Sequence, residues 1–171
     1  MGPGSRKNLI LILLLFFVGF GIYLNSIPNG FVWDDKNLVL NNPDIKAVTF
    51  KNIKTIFTHD LIHFIDRSNF YRPLQSLSYM ADFFLWGKEP AGYHLVNAVI
   101  HSLNGALIFV LLLMLFRNSA ASFFGALFFT IHPLQTSAVT YIAGRADLLA
   151  LFFLLVAAAF LFKEREAARG L

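Results

Sequence analysis

Cysteine is absent from these 171 residues, which excludes disulfides and thiolate metal sites and leaves the compartment open. Charge is also scarce. Asp, Glu, Lys and Arg make up 14% of the chain against 57% hydrophobic residues, and mean hydropathy is +0.62. So little polar surface cannot cover a soluble domain of this size, so the composition is that of an integral membrane protein. The net charge of +4 is dispersed among apolar segments, which argues against a nucleic-acid partner. No small-x-small site follows the first apolar run: Leu24-Asn25-Ser26 has a large residue at the −3 position. That run therefore reads as an uncleaved helix rather than a signal peptide. The apolar segments carry no charge at mid-depth and show no duplication, which places a transporter fragment last among the readings.

What is present is apolar helix, rich in its 20 Phe. The expected fold is all-α, with about four transmembrane helices and a long outer loop. A cytoplasmic N-terminus (1–8) precedes helix one (9–24). An extracytoplasmic loop (25–92) leads to helix two (93–116), helix three (119–132), an outer connector (133–147), helix four (148–162) and a cytoplasmic tail (163–171). His132-Pro133 stops the third segment, because proline cannot continue a helix. Within the loop, Thr49 reads as the N-cap of an amphipathic helix bearing Phe50, Ile53, Phe57 and Leu61. A second runs from Pro73 to Trp86 with Leu74, Leu77, Ala81, Phe84 and Leu85 on one face. Both suit the membrane surface. Arg6, Lys7, Arg117, Lys163, Arg165 and Arg169 fall on one side of this arrangement, the cytoplasmic side. The outer loop and connector then meet at the opposite face.

Three groups of residues can carry chemistry there. Asp34 and Asp35 follow the first span and are bracketed by Phe31, Trp33 and Leu38. Aromatic surroundings partly desolvate a carboxylate and raise its basicity, so that it can take a proton from an acceptor hydroxyl. The bland reading is a solvated pair. His94, Asn97, His101 and Asn104 form one stripe on the second span, to be read either as hydrogen-bonding glue or as site lining, with His94 nearest the outer end. Arg145 and Asp147 flank the start of the fourth segment. They read as a local ion pair and helix cap, while Arg145, like Arg72, also suits bidentate phosphate binding.

Taken in order, Val32-Trp33-Asp34-Asp35, Tyr71-Arg72-Pro73-Leu74, Gly92-Tyr93-His94-Leu95-Val96-Asn97, His101, His132-Pro133-Leu134-Gln135-Thr136 and Gly144-Arg145-Ala146-Asp147-Leu148-Leu149 resemble a known pattern. It is that of the membrane domain of the transmembrane and tetratricopeptide repeat-containing O-mannosyltransferases and their bacterial relatives, in the GT-C superfamily. The resemblance covers most of residues 30–155. It implies a glycosyltransferase that moves a sugar, such as mannose, from a polyprenyl-phosphate donor to a protein or glycan hydroxyl on the extracytoplasmic face. Asp34 or Asp35 is then the base, with Arg72, His94, His132 and Arg145 as donor or substrate contacts and Asn97, His101, Asn104 and Asp147 lining or supporting the site. No certain cofactor is implied beyond the lipid-linked sugar. A divalent cation on the acid pair is left open, since two adjacent acids do not make a coordination shell.

The family has many more spans and a C-terminal repeat array, and no helical-hairpin repeat is visible here. The chain is therefore expected to be an N-terminal part, completed by further spans or a partner subunit. The short N-terminal region and loops favour a bacterial inner membrane over the endoplasmic reticulum. The alternative function is a non-catalytic scaffold of the same fold, with the polar stripe facing partner helices.

Overall fold

A computed structural model describes residues 3–65 and 69–168. Arg169, counted above among the cytoplasmic charges, lies outside the described residues. The chain is an all-helical membrane protein. Its helices are α1 (Pro3–Ile22), α2 (Phe50–Thr58), α3 (Pro73–Trp86), α4 (Pro90–Phe116), α5 (Ser119–Ile131), α6 (Thr136–Thr140) and α7 (Arg145–Ala168). Among the described residues, three stretches are long and apolar enough to cross a bilayer: Ser5–Ser26, Pro90–Phe116 and Ile142–Arg165. α5 is equally apolar but has only 13 residues, about 20 Å of helix against a hydrocarbon core of about 30 Å. Local chemistry sets its ends. The Asn118 side chain caps it by accepting from the N–H groups of Ala120 and Ala121 at 3.0 and 3.1 Å, and Pro133 forbids its extension.

α4 is the central post, packed against α1, α5 and α7. Close approach depends on small residues. A Cβ on Gly105 would stand 2.4 Å from Thr130 Oγ1, and one on Gly19 would stand 2.8 Å from Thr130 Cγ2. Below this crossing, Leu15, Phe109 and Ala126 form a buried apolar cluster.

Three members of the polar stripe of α4 bond within the chain, although His101 Nδ1 and Asn104 Oδ1 stay unpartnered among the described residues. Asn97, His101 and Asn104 are fully buried. Asn97 Nδ2 donates to the carbonyls of Val139 and Tyr141 at 3.2 and 3.1 Å. Asn104 Nδ2 donates to the Leu148 carbonyl at 2.9 Å, and His101 Nε2 lies 2.9 Å from the Thr130 carbonyl. In lipid, backbone carbonyls freed at helix ends and connectors need such donors. The scaffold reading offered this stripe to partner helices; here it ties α4 to α5, the connector and α7 instead.

Residues 27–65 and 69–89 form a structured cap. Leu38, Val39, Ile45, Ile56, Tyr79 and Met80 make a core that also takes in Tyr93 of α4 and Ile142 of the connector. Thr49 caps α2 as its sequence position requires, accepting from Asn52 N at 3.2 Å. α3 begins at Pro73 and ends at Gly87, whose positive φ of 59° favours glycine. Its two faces are inverted relative to a soluble helix. Gln75, Ser76, Tyr79 and Asp82 are buried, whereas Leu74, Phe84 and Leu85 are exposed, Phe84 to 76%. A helix in this orientation presents its apolar face to lipid and its polar face to the protein.

Candidate functional site

The acid pair is built by a turn that no regular element would produce. Trp33 has φ 45°, in the left-handed region, which is costly for a bulky side chain. Asp35 N donates back to the Val32 carbonyl at 2.9 Å. One π-helical turn, Lys36–Leu40, follows, closed by Asn41 N donating to the Lys36 carbonyl at 2.8 Å. Such turns are rare and recur at functional sites.

This geometry separates the two acids. Asp35 is fully buried. Its carboxylate accepts from Val32 N at 3.0 Å and from Ala143 N at 2.9 Å. Burial pushes its carboxyl above the ordinary carboxylate value; the two N–H donors oppose that rise and the neighbouring Asp34 adds to it. Asp35 thus bolts the turn to the outer connector, 108 residues away. Asp34 is exposed. Its backbone N donates to Tyr141 Oη at 3.3 Å, and it lines a cavity of about 570 Å³ with Asn37, Arg72, Tyr141 and Asp147.

Arg72 stands at the start of α3, with its guanidinium over the Phe70 ring, 4.9 Å from the centroid. Arg72 and Asp147 also line a second cavity, an apolar groove of about 400 Å³ that runs past Leu74, Leu149, Ala150 and Phe153 along α7. The mixed cavity and the groove therefore share their boundary residues.

Arg145 is placed elsewhere. It is 0% exposed and donates to Asn97 Oδ1 at 2.7 Å, Ser78 Oγ at 3.2 Å, the Tyr93 carbonyl at 2.9 Å and the Asp82 carboxylate. The Tyr79 ring lies 4.7 Å from its guanidinium carbon. Two expectations are corrected by this. A local pair of Arg145 with Asp147 does not form, because the buried cation takes its anion from α3. Its donors are also spent on protein acceptors, which removes it from the phosphate contacts. Asp147 instead opens onto both cavities from the first turn of α7.

His94, expected at the site, is buried at 1% exposure within α4 and is not part of the cavity lining. His132 also lies apart from that lining. Its Nδ1 accepts from Leu134 N at 3.2 Å and its ring meets Phe128 edge-on at 5.0 Å, so it caps the turn after α5. Asn97, His101 and Asn104 act as the structural members of their pair of readings. Among the described residues, no group of three His, Cys, Asp or Glu side chains is arranged to hold a metal ion.

Sequence reasoning missed Asp82 and Tyr141. Asp82 carried a usable signal: it is the lone acid of a 14-residue helix, and a carboxylate in so apolar a segment requires a cation. Tyr141 carried none, since its role depends on where the connector meets the Asp34 turn.

No family model matches the chain, and no solved structure does either. Among curated proteins, it is 38% identical over 160 residues to protein O-mannosyl-transferase TMTC3 of Mus musculus, a match that covers 91% of this chain and 17% of the relative. It is 37% identical over 154 residues to protein O-mannosyl-transferase TMTC1 of Mus musculus, covering 86% and 16%. It is 35% identical over 151 residues to protein O-mannosyl-transferase tmtc2 of Xenopus laevis, covering 84% and 18%. The chain spans about a sixth of the length of the relatives it matches. Across nearly all of its own residues, then, this chain is a relative of one region of the protein O-mannosyl-transferases.

Proposed function

We infer that this chain forms part of the catalytic face of a membrane glycosyltransferase that moves a sugar, by its relatives' names a mannose, from a polyprenyl-phosphate donor to an acceptor hydroxyl of a protein or glycan. One observation carries the reading. Asp34 and Arg72 share a cavity of mixed polar and apolar lining that adjoins an apolar groove along a membrane-spanning helix. A lipid-linked sugar has that same division, a polar headgroup on an apolar chain. Asp34 takes the proton of the acceptor hydroxyl as its oxygen bonds to the anomeric carbon, and the lipid phosphate leaves with the electron pair of the broken bond. Arg72 neutralises the charge that develops on that phosphate. A divalent cation delivered with the phosphate has two carboxylates on the cavity to draw on, Asp34 and Asp147. The active face is extracytoplasmic. The short loops between helices favour a bacterial inner membrane, and the animal relatives favour the endoplasmic reticulum.

The test is sugar transfer in native membranes by the polypeptide as its cell makes it. Asp34→Asn lowers the rate by about 10²- to 10⁴-fold, the usual contribution of a positioned base, with membrane insertion unchanged. Transfer at the parent rate would end the reading.

The scaffold alternative draws on the apolar faces left open on the spans, where Phe124, Phe128, Leu154 and Phe160 are all more than 60% exposed. It expects a helical partner that co-purifies with the Asp34→Asn variant and with the parent alike, and no transfer by either.

A further inference from the structure

Trp33 is held in an unusual state. Its backbone is left-handed at φ 45°, a conformation that favours glycine or asparagine over a bulky residue. Its indole is 82% exposed. The surrounding bonds fix this arrangement: Val32 N donates to Asp35 Oδ2, Lys36 N donates to the Trp33 carbonyl at 3.3 Å, and Asp35 is bolted to Ala143. Strain maintained by so many bonds, one residue from Asp34 of the cavity lining, is a functional signal when an actual outlier is observed.

The ring's position says what it serves. It stands edge-on to Tyr141, 5.9 Å between centroids at 77°, and Tyr141 lines the cavity together with Asp34. The indole thus stands against a residue of the cavity wall, outside the lining itself, with a broad apolar surface uncovered. The other tryptophan, Trp86, packs over Gly92, where a Cβ would come within 2.3 Å of its ring.

We propose that Trp33 is the platform for the transferred sugar: the apolar C–H face of a hexopyranose lies on its indole beside Asp34. A pyranose has a flat C–H face and a rim of hydroxyls. An aromatic plane against Tyr141, which shares its cavity with Asp34 and Asn37, complements both. This inference rests on the glycosyl-transfer reading above and names the group that recognises the sugar.

Two variants separate ring from backbone. Trp33→Asn keeps the left-handed conformation and removes the platform; Trp33→Phe keeps an aromatic. Trp33→Asn raises the KM for the mannosyl lipid phosphate by about tenfold with little change in kcat, the size of one aromatic contact, and Trp33→Phe recovers most of the loss. A direct readout comes from the full chain labelled with 5-fluorotryptophan, the Trp33 resonance being assigned by its loss in Trp33→Phe. That resonance shifts on addition of a short-chain prenyl phosphate bearing mannose and does not shift with the same prenyl phosphate lacking the sugar. Equal shifts with both, or none with either, overturn the proposal. The resonance experiment is repeated in Asp34→Asn, which binds without transferring. If Asp34→Asn transfers normally, the glycosyl-transfer reading itself fails; if it is inactive and the resonance is indifferent to the sugar, only the platform fails.

Discussion

Asp82 and Arg145, 63 residues apart in sequence, meet as a buried ion pair between α3 and α7. The remaining guanidinium hydrogens reach Asn97, Ser78 and the Tyr93 carbonyl, so one side chain draws α3, α4 and α7 together. Removing one partner of such a pair leaves an uncompensated buried charge, costing about 3–5 kcal/mol. Asp82→Ala and Arg145→Met each lower the unfolding midpoint of the detergent-solubilised protein steeply. The double substitution is milder than the sum of the two, as a double-mutant cycle on thermal unfolding will read out.

Asp34 and Asp35 respond in opposite ways to the same substitution. Asp35→Ala strands the N–H groups of Val32 and Ala143 and destabilises the cap by about 1–3 kcal/mol for each unsatisfied group. Limited proteolysis of the outer loop measures this. Asp34→Ala changes loop proteolysis far less, because Asp34 is exposed and its backbone N–H keeps its bond to Tyr141.

Asp35 also sets a pH dependence. Its folded carboxyl titrates above its ordinary value of 3.8 because it is buried. Between the ordinary and the raised value the native state holds more protons than the unfolded state, so stability falls as pH rises through that window. Its contribution is complete below 3.8 and is lost as pH climbs through the folded value. Asp35→Asn cannot titrate. The unfolding midpoint of the parent, measured against that variant, therefore declines with rising pH across this acidic window. A difference that grows with pH would contradict the assignment.

The crossing of α1, α4 and α5 has no room for a methyl group at Gly105. Gly105→Ala costs about 1–3 kcal/mol by overpacking against Thr130. Thr130→Ala, which removes the obstructing hydroxyl and methyl, restores part of that loss in the double variant. Thermal unfolding of the four proteins in detergent decides it.

Much of this was legible from residue order. Pro73 with Gly87, Thr49 before Phe50, and His132-Pro133 mark helix ends by backbone chemistry that acts locally, and the helices end at those places. The motif series pointed to the protein O-mannosyl-transferases, to which the chain is related. Long-range pairing was not legible. Nothing near Arg145 announces Asp82, and nothing in Asp34-Asp35 tells which acid turns inward, because that depends on the Ala143 N–H arriving from the far connector. His94 and Arg145 turn into the bundle and away from the cavity lining, and burial is a property of the assembled bundle rather than of a stripe or motif.

The inverted faces of α3 have a consequence for biosynthesis. The helix leaves the ribosome with Asp82 and Gln75 already in place, but their partners, Arg145 and the Ala143 carbonyl, follow more than sixty residues later. Until α7 is in place, Asp82 lacks its counter-charge, and the cap has only α4, through Tyr93, to pack against. Since chains fold from the N-terminus as they emerge, the bonds that tie the cap to Arg145 and Ala143 form only after the chain beyond the connector has been made.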